Sequence, residues 1–579
     1  MAADWKLREV DPGLARRYIH NGWWTDETLG SVLADGLAES AGHTFRVHSR
    51  SRPWCGTFAG VADLALRVAG GLRARGVGPG DVVAFQVPNW IEAAVTFYAV
   101  SFLGAVLVPI VHFYGRKEVG HILRQSGARA LVTVDRFGHL DHLGAVDELR
   151  AGLPELELVA VVGADAPPLA PTTVPSWAVP FSDLLEQPPL DGPVSVDPVQ
   201  PAAVAYTSGT TAEPKGVVHV HRTLVFEVRQ LGDLQSSRGL PVLTGAPVAH
   251  GIGMLSGLLL PLHRRQAVHL TDVWDPAQVL ADMLESGVSA GSGATIFLTS
   301  LLDHPDCGPD HLRLMHQTGL GGSSVPVAVA DRAESLGISI TRAFGSTEHP
   351  STTGSTHDDP LEKRTHTDGR PLLGVEVRIV DESGADLPKG EAGEVLSRGP
   401  DCFWGYTDPA LTAGAFEGDG WYLTEDVARL DADGYLTVTD RKKDIIIRGG
   451  ENVSAPEVEE VLMRMPGVAE VAVVAAPDAR LGEHACAFLR PLPGARGPDL
   501  SGIRTVLEDV GLARQKWPEE LRLVDEFPRT PSGKVQKFVL RQQLRDEAAP
   551  TAGGGAGAPT SSEEGGDGAP PGPTKPAQA

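Results

Sequence analysis

The sequence predicts an α/β protein: a large layered domain with mainly parallel sheets, followed by a small α+β domain. Three observations predict it. A chain of 579 residues is too long for a single hydrophobic core. Helix-period and strand-period segments alternate through about residue 135, the pattern of a parallel sheet with helical crossovers. From Val375 the texture changes, and strand-like segments alternate with the Asp-Gly turns Asp419-Gly420 and Asp433-Gly434.

Residues 58 to 77 carry Val61, Leu64, Val68 and Leu72 at helical spacing and end at Gly76, which predicts an amphipathic helix with a glycine stop. Asp81 to Val87 reads as a strand. Ala93 to Phe113 is long and apolar enough to be mistaken for a membrane span. Gly104 and Pro109 interrupt it, and Thr96 and Ser101 punctuate it. It therefore reads as a buried helix to about Leu103 and a buried strand over Ala105 to Pro109. Residues 150 to 200, rich in proline and acidic groups, read as an excursion with one short strand at Leu158 to Val162.

Tyr435 to Asp440 and Asp444 to Ile447 read as short strands. Ser454-Ala455-Pro456-Glu457 opens a capped helix that runs to about Met465, where Pro466-Gly467 stops it, and Val468 to Val474 is a strand. The expected division is 1–442, 443–547 and a tail, 548–579, too poor in large apolar side chains to fold. No internal repeat of fixed period is present.

Composition narrows the function. Hydrophobic content of 42% and charged content of 21% are those of an ordinary soluble globular chain. A net charge of -24 argues against nucleic acid as a partner. Cys55, Cys307, Cys402 and Cys486 form no C-x-x-C pair, so neither a disulfide framework nor a structural zinc site is expected. Asp4, Glu9 and Asp11 near the start, without an apolar run, argue against a signal peptide. The expected location is the cytoplasm, with no membrane span.

The chemistry begins at Tyr206-Thr207-Ser208-Gly209-Thr210-Thr211-Ala212-Glu213-Pro214-Lys215-Gly216, which follows the apolar run Ala202 to Ala205. Glycines allow close backbone approach to an anion. Backbone N–H groups and hydroxyls donate to phosphate oxygens, and Lys215 adds a point charge. The lysine precedes the second glycine, so this is not a Walker loop. A turn of this kind suits a nucleotide's phosphate tail.

The segment resembles the phosphate loop of the acyl-adenylate-forming (AMP-binding) superfamily, which includes acyl-CoA synthetases, standalone adenylation domains and luciferases. Four further blocks match in order: Phe344-Gly345-Ser346-Thr347-Glu348, Trp421 to Asp426, Asp440 to Glu451, and Pro531-Ser532-Gly533-Lys534. The resemblance runs from about residue 30 to about residue 545. Two departures stand out. Ala212 replaces a glycine of the family's loop, and Glu425 replaces the glycine before Asp426.

The resemblance implies a large adenylation domain with a small mobile C-terminal domain, and ATP, Mg²⁺ and CoA as cofactors. Lys534 would bridge carboxylate and α-phosphate oxygens. Thr347 would hold the α-phosphate and Glu348 would carry Mg²⁺. Thr207, Ser208, Gly209, Thr210, Thr211 and Lys215 would cradle phosphates, with Gly345 and Ser346 beside them. Phe344 would face adenine, Gly321 to Ser324, including Ser323, would border it, and Asp426 and Arg441 would hold the ribose. Lys443 would be the hinge, and Gly449, Gly450 and Glu451 would swing in to line the pantetheine tunnel. His250 would stand between acyl pocket and thiol. His219 with His221, and His139 with His142, could each share a face of a strand or a helix, but neither pair fits a zinc pattern, so all four are expected to be structural or exposed.

The resemblance also bears on substrate. Pro247 to Met254 holds no aspartate of the kind that fixes an amino acid's α-amine. Val248, Ile252, Met254, Leu255 and Ile296 suggest an apolar pocket, and Gly291, Ser292 and Gly293 suggest room in it. The expected activity is that of an ATP-dependent carboxylate–CoA ligase for a medium-chain, alicyclic or aromatic acid, with a texture closest to medium-chain fatty-acid and cyclohexanecarboxylate–CoA ligases. Two alternatives stand beside it: a ligase that loads an acyl carrier protein, and a non-catalytic nucleotide-binding member of the fold.

Overall fold

The computed structural model describes residues 5–207, 214–234, 239–322, 325–442, 444–448, 451–478, 480–510, 512, 514–530 and 533–548. Its largest sheet has eight strands, in the order 405–406, 215–220, 201–207, 106–109, 82–86, 130–134, 158–162 and 179–180. From Pro201–Thr207 to Val179–Pro180 every pairing is parallel. The other edge is antiparallel.

Both faces of this sheet are covered, which is why its strands read as unbroken apolar runs. Val82–Gln86 and Ala130–Val134 are buried at every position. On one face lie the helices Phe58–Ala74 and Ile91–Leu103, and all thirteen residues of the latter are buried. On the other face lie Arg116–Ser126 and His142–Leu149. The apolar stretch after Ala93 is thus a core helix and strand, turned at Gly104 (φ 68°). Among the described residues no helix is long and apolar enough to cross a membrane.

Among the described residues the large domain holds three more sheets of four or five strands and the two-stranded pair Arg136–Phe137 with Leu140–Asp141. Val268–Thr271 pairs in parallel with Thr44–His48 and Leu243–Thr244. Gln317–Gly321 pairs in parallel with Ser339–Phe344, which continues into an antiparallel edge. The region after Val375 forms an antiparallel sheet from Glu376–Val380, Gly393–Arg398, Trp421–Leu430 and Leu436–Arg441.

The small C-terminal domain is built on the long hairpin Val468–Asp478 and Gly482–Pro491. Ala455–Leu462 and Leu500–Asp509 share one of its two apolar clusters, and Lys537–Ala548 belongs to the other. Ser454 caps the first helix, its hydroxyl accepting from the Glu457 N–H at 3.4 Å.

Two local expectations fail. His219 and His221 do not share a strand face, because His219 lies in the strand Lys215–Val220 while His221 opens the helix His221–Leu234. His139 and His142 do not share a helix face. His139 lies in the turn between the strands Arg136–Phe137 and Leu140–Asp141. Asp141 is the helix cap, accepting from the Gly144 N–H, and the helix begins only at His142.

Because the Ile91–Leu103 helix is buried all round, truncating it leaves a cavity that no solvent-facing shift can close. Phe97→Ala should destabilise the large domain by about 3–5 kcal/mol, read as a lowered first transition in differential scanning calorimetry.

Candidate active site

The strand Pro201–Thr207 turns back into Lys215–Val220, and Thr207 pairs with Lys215 across the hairpin. The phosphate-loop residues between them, Ser208, Gly209, Thr210 and Thr211, lie outside the described residues. Lys215 projects toward Tyr406, with Nζ 5.6 Å from the ring centroid. The Tyr406 hydroxyl in turn donates to Glu348 Oε1 at 2.9 Å. The sheet's antiparallel edge therefore sets the loop's lysine over one aromatic ring whose hydroxyl holds the candidate metal carboxylate.

Thr347 and Glu348 follow the strand Ser339–Phe344 in a tight turn. The Ser346 N–H donates to the His349 carbonyl at 3.0 Å. A side chain at Gly345 would overlap the Pro350 carbonyl, its Cβ only 1.9 Å away, so this position requires glycine. The Thr347 carbonyl accepts from His219 Nε2 at 2.8 Å, and the Glu348 carbonyl from the Phe403 N–H at 2.8 Å. Phe344 is half-buried against Ile379, Val395, Ala428 and Leu436.

Asp426 and Arg441 are cross-strand partners, with Arg441 Nε donating to Asp426 Oδ1 at 2.6 Å. Asp426 is buried, and burial raises its pKa while Arg441 opposes the rise. The Asp426 N–H donates to the Thr424 hydroxyl at 3.1 Å. The residue between, Glu425, has φ 62°, a left-handed conformation that favours glycine. Its carbonyl accepts from the Lys442 N–H at 2.9 Å.

Lys534 is delivered by the turn 530–534, where the Thr530 N–H donates to the Lys534 carbonyl at 2.7 Å and the Lys534 N–H to the Thr530 hydroxyl at 3.1 Å. The C-terminal domain holds this turn against the large one. The Ser454 hydroxyl donates to the Thr439 carbonyl at 3.1 Å, the Val327 N–H donates to Glu460, and Gly533 abuts Ile296. Burial pushes the Lys534 ammonium down to about 8, reinforced by Arg441 and opposed by Asp426 and Glu348. His250 feels Lys534 as well, and burial with that charge pushes its imidazole down to about 4. The structure thus brings Lys534, Glu348, Asp426, Arg441 and His250 into one electrostatic neighbourhood.

Other expected residues are placed less completely. Gly321 ends the strand Gln317–Gly321, while Ser323 lies outside the described residues. So do Lys443, Gly449 and Gly450. Glu451 opens the strand Glu451–Val453. His219 and His221 are buried with pKa values pushed down to about 4 by burial, and both are structural. His221 Nδ1 accepts from the Leu29 N–H. Of the apolar residues expected around a pocket, Val248, Met254 and Leu255 join the main core instead. Ile252 and Ile296 form a separate cluster with Ala246, Ala294, Phe297 and Trp274. Tyr406 and Thr424 were not anticipated.

The family model of the AMP-binding enzyme matches residues 16–407, and that of the AMP-binding enzyme C-terminal domain matches 457–534. The chain belongs to the AMP-binding enzyme family. The medium-chain fatty-acid–CoA ligase of Escherichia coli strain K12 is 34% identical over 530 residues, covering 91% of this chain and 92% of that protein. ATP-bound MatB from Rhodopseudomonas palustris superposes with a TM-score of 0.78 at 27% identity, over 89% of this chain and 100% of that one. The anthranilate CoA ligase AuaEII in complex with anthranoyl-AMP superposes with a TM-score of 0.80 at 25% identity, over 90% and 98%. The chain is accordingly an AMP-forming acid–thiol ligase of the adenylate-forming superfamily, and ATP is its nucleotide.

Two predictions follow from this geometry. Glu425→Gly should remove left-handed strain and raise stability by about 1 kcal/mol, measured as a higher midpoint of thermal unfolding. The second concerns pH. The free enzyme's Lys534 loses its proton as pH rises through about 8. A step that needs the cation should show kcat/KM for ATP falling above that pH. Bound phosphates favour the charged form, so the kcat limb should lie higher. Lys534→Arg should abolish the fall between pH 7 and 10, and an unchanged profile in that variant would assign the limb to another group.

Proposed function

We propose that the chain is an ATP-dependent carboxylate–CoA ligase for an apolar acid of medium-chain, alicyclic or aromatic type. The observation that carries this reading is the convergence of Lys534, Glu348, Asp426, Arg441 and His250. An acid and ATP are both anions, and their reaction needs positioning and charge neutralisation more than a protein nucleophile.

In the first half-reaction a carboxylate oxygen bonds to the α-phosphorus, the bridge to the β-phosphate breaks, and pyrophosphate leaves. Lys534 neutralises carboxylate and α-phosphate oxygens, and Thr347 donates to the α-phosphate. Lys215 and the loop 208–211 receive the departing phosphates. Asp426 accepts from ribose hydroxyls while Arg441 holds its carboxylate in place. The donor set fits Mg²⁺, which takes carboxylate and phosphate oxygens: Glu348 would hold it, and it would neutralise phosphate charge.

In the second half-reaction the CoA thiol gives up its proton to solvent, its sulfur bonds to the acyl carbon, the acyl carbon–phosphate oxygen bond breaks and AMP leaves. His250 is neutral at physiological pH. Its Nδ1 accepts from the Ile252 N–H at 3.4 Å, which leaves Nε2–H as a donor for an acyl oxygen. Lys443, Gly449, Gly450 and Glu451 serve the rearrangement between the two steps.

The acid's apolar character is supported by Ile252, Ile296 and Phe297, with Gly322 abutting Ile252. None of these side chains is an acid able to hold an amine. The Escherichia coli and anthranilate relatives act on acids of this broad class.

Pyrophosphate release from ATP and Mg²⁺ with a panel of such acids, each with and without CoA, tests the reading. Turnover should require both acid and CoA. Lys534→Ala should lower adenylation by about 10²–10³-fold. Release that stops at one equivalent despite CoA would point to a carrier-protein acceptor. ATP binding without release for any acid would refute a ligase of this substrate class.

A further inference from the structure

Behind the Thr347–Glu348 turn lies a buried polar chain that the reaction itself does not use. His349 is 1% exposed and Asp401 is fully buried. His349 Nε2 donates to Asp401 Oδ1 at 3.3 Å, and His349 Nδ1 accepts from the Ser397 hydroxyl at 2.8 Å. The acceptor-only carboxylate sets this tautomer. Gly399 lets the pair meet: a Cβ there would stand 2.8 Å from His349 Nε2 and 2.9 Å from Asp401 Oδ1.

Below them, Glu227 Oε1 accepts from the Ser351 hydroxyl at 2.6 Å. Glu227 Oε2 and Asp401 Oδ2 are both buried, and neither makes a hydrogen bond. Burial and the neighbouring Asp401 carboxylate raise Glu227 well above the usual carboxylate range.

The same segment grips the turn at other points. The Phe403 N–H holds the Glu348 carbonyl, and the Tyr406 hydroxyl holds the Glu348 carboxylate. Residues 397 to 406 therefore contact the backbone of Glu348, its side chain and the side chain that follows it. The hydrogen bonds that His349 makes to Ser397 and Asp401 are buried, and buried bonds of this kind fix a side chain in a single geometry.

We propose that His349, held between Ser397 and Asp401 and backed by Glu227, is a positioning residue that orients the Glu348 carboxylate for the metal–nucleotide. This rests on the reading of Glu348 as the Mg²⁺ carrier. His349 touches neither substrate nor metal; it acts through the residue before it.

The test is steady-state kinetics of the full-length enzyme. His349→Leu keeps the bulk but removes both hydrogen bonds. KM for MgATP and the half-saturating Mg²⁺ concentration should each rise about tenfold, with KM for the acid unchanged. His349→Gln, whose amide can still reach Asp401, should stay within about threefold of the parent. Unchanged MgATP and Mg²⁺ constants in His349→Leu, with only lower thermal stability, would overturn the inference. So would a His349→Gln enzyme as impaired as His349→Leu. If His349→Leu does not fold, Ser397→Ala decides, with an expected rise of about threefold in KM for MgATP and no change as the contrary result. Glu348→Gln in the same assay separates the two claims. If it leaves the Mg²⁺ dependence untouched, the reading of Glu348 falls and this inference with it. If Glu348→Gln shifts that dependence and the His349 and Ser397 variants do not, only the positioning role falls.

Discussion

The arrangement depends on keeping one ammonium group charged in a place that disfavours charge. Burial and Arg441 act against the Lys534 cation, and Asp426 and Glu348 act for it. At an effective dielectric near 20, one pair of charges at about 4 Å is worth roughly 4 kcal/mol. The two carboxylates work against desolvation and one cationic neighbour without cancelling them, and the lysine stays within reach of neutral pH. In the proposed reaction a phosphate anion arriving there would tip the balance toward the charged form. Each part of the fold near the site serves this balance. A strand pair delivers Asp426 beside Arg441, a tight turn delivers Glu348, and the docked C-terminal domain delivers Lys534.

Periodicity made the central sheet legible because both of its faces are buried. Val82–Gln86, Val106–Pro109 and Leu158–Val162 are apolar runs bounded by turn residues, and they fold as read. The sheet containing Thr44–His48 was not legible. Its strands span four or five residues or fewer, and its central partner, Val268–Thr271, lies more than two hundred positions away. A local pattern cannot encode such a pairing. The shared helix face of His139 and His142 failed for a related reason: the Asp141 carboxylate between them takes a helix N–H group and starts the helix there.

At the site, residues in compact motifs were legible, since glycines, hydroxyls and charges close in sequence mark a turn with a purpose. Groups that arrive from other elements were not. Tyr406 reads as an ordinary aromatic in a short edge strand, yet it bridges Lys215 and Glu348. Glu227 lies in a helix of mixed polarity, where a carboxylate is expected to face water. Only the fold turns it inward onto Asp401. Val248 and Met254 show the converse, because apolar character alone cannot separate a pocket wall from a core.

Glu425 shows which forces set the site's backbone. A β-carbon in the left-handed region costs about 1–2 kcal/mol, and the strand is bulged here, residues 424–426 standing opposite Val395 alone while Asp426 still pairs with Arg441. Three interactions oppose that cost: the Arg441–Asp426 contact, the Asp426 N–H bond to Thr424, and the Lys442 N–H bond to the Glu425 carbonyl. A hydrogen bond to a charged group contributes about 1.5–3 kcal/mol and an ordinary one about 1 kcal/mol, so together they exceed the strain. The geometry at Asp426 is therefore dictated by its partners rather than by the freedom of the residue before it. The sequence can lose a glycine here and keep the carboxylate where the ribose hydroxyls would meet it.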